Sequence, residues 1–311
     1  MNMPVDPDLV AAPVRKDRID AFGASALAVF SALLGLNQVL VKLVNAGMNP
    51  AFQAGMRSVL AIAPLLAWAY LRRRKLSIVK GTLAPGIVCG GLFAGEFVLL
   101  FQALDYTSVA RASVLFYTMP IWVAVFAHFM IPGETMTRQR AVGLVLAIVG
   151  VAVALAHNAH PASENALLGD LMALLAALFW AAIALATRVT SFSRAAPQMQ
   201  LLYQLVVSAV ILLAIAPAFG PLWREMTPAL WGILAFQSVA IASLGFLAWL
   251  SILKIYPASD ISSFAFLAPV FGVVFGWLII GEKLSVNIAA ALALIGAGIF
   301  LVNWRPRRAR R

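Results

Sequence analysis

Residues 117–134 read YTMPIWVAVFAHFMIPGE, and residues 266–282 read FLAPVFGVVFGWLIIGE. Each stretch begins with an aromatic residue three positions before a proline, continues through apolar residues and ends in Gly-Glu. The two prolines are 149 residues apart and the two final glutamates are 148 apart. The second stretch therefore repeats the first, which indicates a long internal repeat.

The same offset continues outside the two stretches. Asp170 and Trp180 lie 150 positions after Asp20 and Phe30. If each copy contains five membrane helices, an odd number, the two copies must enter the bilayer from opposite sides. This is the inverted-repeat architecture of secondary transporters, in which the substrate site lies at the repeat interface near the membrane midplane.

The composition is that of a chain surrounded by lipid. Of the 311 residues, 63% are hydrophobic and only 11% are charged, whereas soluble proteins contain about 25% charged residues. The formal net charge of +11 would favour a nucleic-acid partner in a soluble protein. In a membrane protein it instead marks cytoplasmic loops, so the partners we expect are the lipid bilayer and a small-molecule substrate, without nucleic acid.

Apolar runs of roughly 20 residues predict ten membrane-spanning helices. We expect an all-α integral membrane protein with two inverted five-helix repeats, at residues 21–160 and 165–304. Residues 1–20 and 305–311 are expected to form cytoplasmic tails, the second of them basic. The predicted helix cores are 21–43, 52–71, 84–104, 112–131, 139–157, 168–187, 198–216, 229–252, 259–280 and 286–304.

The distribution of Lys and Arg predicts the orientation. With the amino terminus placed inside, 18 basic residues fall on the inner side and five on the outer side, namely Lys42, Arg57, Arg111, Arg224 and Lys283. Because basic residues accumulate in cytoplasmic loops, we expect a multi-pass protein of the bacterial cytoplasmic (inner) membrane. An even number of spans then places both termini in the cytoplasm.

Several motifs, in their order along the chain, are similar to those of a known family. They are Leu104-Asp105-Tyr106-Thr107-Ser108 before Pro120 and Gly133-Glu134, Gly169-Asp170 before Trp180, and Tyr256-Pro257-Ala258-Ser259 before Pro269 and Gly281-Glu282-Lys283-Leu284. Together with the five-plus-five pattern, they resemble the drug/metabolite transporter superfamily, in particular its ten-helix bacterial exporters and among these the exporters of aromatic and hydrophobic amino acids. The resemblance covers essentially the whole chain. It implies a transporter but leaves the substrate open, because members of the superfamily move amino acids, other metabolites, drugs and nucleotide sugars.

Polar residues inside the predicted spans are the first candidates for substrate binding. Glu96 lies midway along the third span, where an ionised carboxylate is costly unless it is paired or hydrated. We predict that Glu96 contacts the amino group of a substrate or exchanges a proton; the alternative is a neutral glutamate that joins two helices. Asn37 and Gln38 either face the same cavity or bond neighbouring helices. Lys42 and Arg57 are predicted to anchor the outer rim, where they could also attract a substrate carboxylate.

Aromatic residues at mid-span depth are the second group of candidates. Equivalent positions of the two repeats carry Phe30 and Trp180, and likewise Tyr117 and Phe266. A site lined by such rings favours apolar or aromatic substrate side chains, although each ring alone would serve equally well in helix packing. The complete group is Phe30, Phe97, Tyr117, Trp180, Phe246, Trp249 and Phe266.

The repeated motif also contains candidates for mechanical roles. Pro120 and Pro269 each remove a helix hydrogen bond, and we predict that both act as hinges. Glu134 and Glu282 end their helices beside basic residues, where they are predicted to pair with a basic neighbour or to cap the next helix. We assign these two glutamates a structural role rather than substrate contact.

These observations favour a secondary transporter that exports small metabolites by alternating access, above all amino acids with aromatic or large apolar side chains. The alternative is efflux of lipophilic cations or drugs by proton exchange at Glu96. The scarcity of deep cations disfavours phosphorylated substrates, which require an Arg or Lys clamp. Direction, coupling ion and exact substrate stay open at this stage.

Other classes of protein are disfavoured by what the sequence lacks. It contains no P-loop for nucleotide-driven pumping, and no nucleophile motif or metal-ligand spacing, so we expect neither an enzyme nor a metal site nor a cofactor. The single cysteine, Cys89, excludes an internal disulfide and a cysteine-based zinc site. One chain holds both repeats, so a monomer is sufficient for a complete pathway, while an oligomer stays open.

Overall fold

A computed structural model describes residues 20–131, 136–156, 165–256, 264 and 266–303. In this part of the chain ten helical spans follow one another. They are α1 (Ala21–Asn45), α2 (Pro50–Leu71), α3 (Leu83–Tyr106), α4 (Val109–Phe116 and Met119–Met130), α5 (Arg138–Ala156), α6 (Ala166–Val189), α7 (Pro197–Ile215), α8 (Pro228–Ile255), α9 (Leu267–Ile280) and α10 (Val286–Asn303). The prediction of an all-helical protein with ten helices is confirmed.

The helices have the length and composition required to cross a membrane. Among the described residues, the eight spans from α1 to α8 are long and apolar enough, and α9 and α10 are shorter apolar helices. Large apolar side chains such as Ile87, Val210 and Trp277 are exposed on the outside of the bundle. In a protein that crosses a bilayer these side chains contact lipid, where a helix is stable because it satisfies its own backbone hydrogen bonds.

Polar caps and prolines determine where several helices begin. The side chain of Asp20 accepts a 2.8 Å hydrogen bond from Gly23 N at the start of α1, and that of Asn49 accepts a 2.9 Å bond from Ala51 N at the start of α2. Proline occupies the first turn of α2, α7 and α8, where its missing N–H leaves no intrahelical bond unmade. These caps and prolines define where the helices begin.

The proline motif of the first repeat breaks a helix instead of bending a continuous one. In α4 the first segment ends at Phe116 and the second begins at Met119, so Pro120 lies in the first turn of a new helix. In the second repeat, α9 begins at Leu267, 148 residues after Met119. The predicted helix core 112–131 is therefore interrupted at 117–118, because Pro120 has no N–H to donate to Phe116. The predicted core 259–280 begins in a part of the chain that lies outside the described residues.

The two repeats pack against each other through equivalent helices. Helix α2 contacts α7, α5 contacts α10, α1 contacts α9, and α4 contacts α6. The approach of α5 and α10 depends on two glycines, since a Cβ atom at Gly143 would lie 2.7 Å from the carbonyl oxygen of Gly298. This interleaving places the centre of the bundle between the repeats.

A buried carboxylate joins the repeats on one side of the molecule, which we call the Asp105 face and which carries the α1–α2, α3–α4 and α7–α8 connections. Asp170, near the start of α6, accepts a 2.8 Å hydrogen bond from the Thr107 hydroxyl. It also pairs with the Arg111 guanidinium, whose Nε lies 3.0 Å from Asp170 Oδ2. Arg224 and Asp105 form a second ion pair on this face, at 2.9 Å.

The opposite face has an equivalent contact. The Tyr256 hydroxyl donates a 2.7 Å hydrogen bond to Asp20 Oδ1. Tyr256 lies 149 residues after Thr107, and Asp170 lies 150 residues after Asp20. Each repeat thus contributes an aspartate from its first helix and a hydroxyl from the end of its third helix, and both pairs cross the repeat interface.

Glu282 has a structural role, but its partners differ from those predicted. Its carboxylate accepts hydrogen bonds from Val109 N at 2.7 Å and Ala110 N at 3.0 Å, so it caps the start of α4 in the other repeat. The Lys42 ammonium is 3.9 Å from this carboxylate and donates to the carbonyl oxygens of Leu104 and Thr107. Gly133, Glu134, Pro257–Ser259 and the two predicted tails apart from Asp20 lie outside the described residues.

Candidate functional site

A cavity of about 70 Å³ lies at the centre of the bundle, between the repeats. This is room for about five water molecules, at roughly 10–15 Å³ each, and is too small for an amino acid unless the lining moves apart. The first repeat contributes α1, α2, α3 and α4 to the lining, and the second contributes α6, α8 and α9. The lining residues are Leu27, Phe30, Ser31, Leu34, Asn37, Gln38, Arg57, Glu96, Phe97, Leu100, Phe116, Tyr117, Met119, Trp180, Phe246, Trp249, Phe264 and Ala268.

The structure brings nine of the ten residues proposed from the sequence to this one cavity. They are Phe30, Asn37, Gln38, Glu96, Phe97, Tyr117, Trp180, Phe246 and Trp249. The tenth, Phe266, does not belong to the described lining, where Phe264 is found instead. Phe266 is the residue that precedes α9, so the three-residue spacing to Pro269 does not continue the helix as the prediction assumed. That the nine residues bind a substrate stays a prediction.

Aromatic rings from both repeats form one wall of the cavity. The rings of Phe30 and Trp249 are stacked, with centroids 5.0 Å apart and an interplanar angle of 11°. Phe246 meets Phe30 edge to face at 6.3 Å. Such contacts contribute about 0.5–1.5 kcal/mol beyond the area they bury. The wall offers flat apolar surface to a ligand.

A π-helical segment positions two of these rings. Residues Gln237–Gly245 of α8 form the π-helix, and Phe246 follows it directly. Because a π-helix has more residues per turn than an α-helix, the segment rotates the residues after it relative to those before it. Phe246 and Trp249 consequently face Phe30 of α1.

Four buried polar side chains in the lining have unused hydrogen-bonding atoms. In the described part of the chain no partner is found for Asn37 Oδ1, Gln38 Oε1, Glu96 Oε2 or any of the three guanidinium nitrogens of Arg57. The exposed fraction is 2% for Glu96 and 1% for Arg57. Buried polar groups are almost always hydrogen-bonded, so a cavity that presents donors and acceptors together is suited to a polar ligand or to ordered water.

Arg57 was predicted to anchor the outer rim, and this prediction is wrong. Its guanidinium carbon lies 4.0 Å from the centroid of the Phe97 ring and 4.9 Å from that of Phe101. The guanidinium therefore stays at cavity depth through cation–π contacts. Glu96 is close enough to Arg57 to interact with its charge, although no hydrogen bond joins the two.

The depth of Arg57 was predicted wrongly because its position near the start of a span resembles that of an interfacial residue. One available signal was Gln53, which precedes it by four residues and so lies on the same face of α2. A second signal was the pair Phe97 and Phe101, which lie on one face of α3 at the same spacing. A stripe of polar residues opposite a stripe of rings indicates a buried cation.

Tyr117 connects the aromatic and polar parts of the lining. It lies at the break in α4, and its hydroxyl interacts with the side chain of Gln38 and with the charge of Glu96. The break is closed by local bonds, including one of 2.7 Å from the Thr118 hydroxyl to Leu115 O. Movement of either segment of α4 would therefore move a residue of the cavity.

Comparison with protein families gives two matches to one family. Residues 21–156 and residues 167–304 each match the EamA-like transporter family. The two matched ranges correspond to the two halves of the bundle.

Curated proteins similar to this chain extend over nearly its whole length. A Bacillus subtilis protein, uncharacterized transporter YoaV, is 30% identical over 270 residues, which is 86% of this chain and 91% of its own. A Salmonella typhimurium protein named probable amino-acid metabolite efflux pump is 25% identical over 295 residues, or 89% and 94% of the two chains. An Escherichia coli protein with the same name is 24% identical over 283 residues, or 87% and 92%.

Comparison with solved structures shows the fold. One crystal structure is 20% identical in sequence, covers 91% of this chain and 98% of its own, and has a TM-score of 0.67. At that identity the likeness concerns the architecture alone.

Proposed function

The chain belongs to the EamA-like transporter family, and we propose that it exports amino acids with aromatic or large apolar side chains. It is a multi-pass membrane transporter of the drug/metabolite transporter superfamily and not an enzyme. In the proposal the substrate crosses by alternating access through the central cavity.

The observation that carries the proposal is the division of the cavity into an aromatic wall and a polar group. An amino acid has the same division, with a charged head and, in the substrates proposed, an apolar side chain. Glu96 is an acceptor for the substrate's ammonium group, and the rings of Phe30, Phe246 and Trp249 are a surface for its side chain. Asn37 and Gln38 add amide groups that can orient the head.

Two relatives support an amino-acid substrate. The Salmonella and Escherichia coli proteins are both named as probable amino-acid metabolite efflux pumps. Their identity to this chain is 25% and 24%, so their names support the class of substrate without fixing its side chain.

We also propose that the Asp105 face is outside the cytoplasm of a bacterial cell and that both termini are inside it. The engaged state of the basic residues on this face supports the orientation. Arg57 lies in the cavity, Arg111 pairs with Asp170, Arg224 pairs with Asp105, and Lys42 binds backbone carbonyl oxygens. Few free positive charges then remain on this face, as expected for the non-cytoplasmic side.

Efflux of lipophilic cations by proton exchange is the second candidate function. A buried carboxylate next to aromatic rings suits an organic cation as well as an ammonium group. Arg57 opposes this assignment, because a cation in the cavity would be repelled by the guanidinium. The amino-acid proposal is therefore the one we favour.

The test is counterflow in proteoliposomes with a labelled panel of amino acids and one organic cation, with and without an imposed pH gradient. Saturable flux of Phe, Trp, Leu or Met without dependence on the gradient is the result we expect. Flux of the cation alone, driven by a proton gradient, would replace the proposal with the drug-efflux function. Sealed liposomes that move none of these solutes would contradict both.

A further inference from the structure

We propose, on the basis of the function just assigned, that Arg57 binds the α-carboxylate of the substrate. The protein would then select molecules that carry both a free carboxylate and an apolar side chain. This goes beyond the proposed function, because it names the chemical group that the site requires and the residue that recognises it.

The first argument is the free-energy cost of burying the charged side chain of Arg57 at this position. An arginine inside a membrane protein is retained in the bundle only where its charge is compensated. Here the side chain is 1% exposed, and among the described residues none of its three nitrogens has a hydrogen-bond partner. Contact with two rings compensates part of the charge, but an aromatic ring is a much weaker partner for N–H groups than a carboxylate. The N–H groups of Arg57 therefore lack a hydrogen-bond acceptor, and a bound ligand can supply one.

The second argument is the shape of the group. A guanidinium has five N–H donors in a planar fork that binds a carboxylate through two parallel hydrogen bonds. The rings of Phe97 and Phe101, 4.0 and 4.9 Å from its central carbon, hold the group in place without using its N–H donors. A group held in this way is pre-organised for an anion.

The third argument is the position of the only acid in the described lining. Glu96 interacts with the charge of Arg57, yet the two form no hydrogen bond, and Glu96 Oε2 has no partner in the part of the chain that the structure describes. A zwitterion would satisfy both, with its carboxylate on Arg57 and its ammonium on Glu96. A single guanidinium also fits one carboxylate better than a phosphate ester, which is usually bound by several cations.

Three ligands that differ by one group separate these roles. L-phenylalanine has both head groups, phenethylamine lacks the carboxylate, and 3-phenylpropionate lacks the amine. Counterflow would be measured for each ligand with the wild-type protein, with Arg57→Gln and Arg57→Lys, and with Arg72→Gln as the control. Arg72 follows the other end of the same helix and is exposed, so its change should leave all three fluxes as they are.

We expect Arg57→Gln to raise the half-saturation concentration for phenylalanine about ten- to hundredfold, the effect of losing charged hydrogen bonds. Phenethylamine flux should be unchanged or higher, since the repelling charge is gone. For phenylalanine, the half-saturation concentration of Arg57→Lys should lie between those of the wild-type protein and Arg57→Gln, because lysine keeps the charge but loses the planar fork of N–H donors. Monodisperse elution in detergent shows whether each variant folds. The double variant Arg57→Gln with Glu96→Gln is a second folding control, because it leaves no unpaired charge in the cavity.

Several results would overturn the inference. One is an unchanged half-saturation concentration for phenylalanine in Arg57→Gln. Another is an equal loss for phenylalanine and phenethylamine, which would make Arg57 a structural residue. If the wild-type protein moves phenethylamine and not phenylalanine, the amino-acid function itself fails. The two failures are thus distinguishable.

Discussion

At the scale of single residues, Glu96 is the clearest case of a polar group whose position needs a function to explain it. It is buried in the cavity, and one of its oxygens has no hydrogen-bond partner among the described residues, although an intramembrane carboxylate is costly. A structural glutamate would be expected to bond a neighbouring helix with both oxygens. The observed arrangement favours a role in substrate binding.

Glu96→Gln should therefore weaken amino-acid transport strongly. The amide keeps the size of the side chain but no longer attracts an ammonium group, so we expect the half-saturation concentration for phenylalanine to rise about ten- to hundredfold. Counterflow in proteoliposomes measures this, with Glu225→Gln on an exposed connection as the control. Wild-type rates in Glu96→Gln would remove Glu96 from the site.

Trp249 tests the aromatic wall. Replacement of Trp249 by Leu removes the stack on Phe30, and one aromatic contact contributes about 0.5–1.5 kcal/mol. We expect the half-saturation concentration for phenylalanine and tryptophan to rise about two- to tenfold, while that for leucine changes less. Trp277→Leu is the matched control, because Trp277 is 55% exposed on the outside of the bundle. Equal effects on phenylalanine and leucine would contradict an aromatic-specific wall.

Some residues of the candidate site can be predicted from the sequence and others cannot, and the reason is physical. Glu96 and the mid-span rings are visible in the sequence, because a charge in the middle of an apolar run and rings near a repeated proline are both unusual. Arg57 was misplaced, because seven residues from a helix end is a depth from which a long side chain can also reach the interface. Only the packing of α2 against α3 decides which way that side chain turns.

At the scale of elements, the broken helix α4 couples the cavity to possible motion. A proline at position 120 cannot donate the N–H bond that would join it to Phe116, and the helix ends there. The Tyr117 side chain, which lines the cavity, lies at this junction. The break therefore gives α4 two rigid segments, with a residue of the candidate site between them.

Pro120→Ala should slow transport without destabilising the protein. Alanine restores the missing N–H, so the two segments can join into one straighter helix that carries Tyr117 away from its present position. We expect flux to fall several-fold while the melting temperature in detergent is unchanged or higher. Pro64→Ala is the control, since Pro64 lies inside α2 without breaking it. Unchanged flux in Pro120→Ala would contradict the proposed hinge role of this proline.

The sequence predicts the number and order of the elements far better than their internal geometry. Apolar runs reveal ten helices, because the bilayer requires a fixed length of apolar chain. The π-helical segment Gln237–Gly245 leaves no such trace, since it lies inside the single span predicted at 229–252. Its formation depends on contacts with α1 and α2, which are long-range in sequence.

At the scale of the whole molecule, the inverted repeat gives the two faces related but unequal contacts. Thr107 bonds Asp170 on the Asp105 face, and Tyr256 bonds Asp20 on the opposite face. The first contact also includes the Arg111 guanidinium, so it is an ion pair as well as a hydrogen bond. Both contacts are present together in this structure. A transporter that alternates must release one contact at a time.

Isosteric removal of each hydroxyl tests this alternation. Thr107→Val and Tyr256→Phe each delete one hydrogen bond to a carboxylate at equivalent positions. The loss of such a bond changes the free energy by about 1.5–3 kcal/mol. The ratio between the state with the contact formed and the state with it released then shifts roughly ten- to hundredfold. Cys89→Ser removes the single cysteine, and Ser31→Cys then places a reporter thiol in the cavity. Labelling by an impermeant maleimide would be compared in vesicles of the two orientations.

We expect the two variants to act in opposite directions, because each one weakens only the face on which it lies. Thr107→Val should speed labelling of the Ser31→Cys thiol from the Asp105 face, and Tyr256→Phe should speed it from the opposite face. The first effect should be the smaller, since the ion pair between Arg111 and Asp170 remains. If both variants increased access from the same face, the symmetric contacts would be helix-packing features and not the points at which the repeats open.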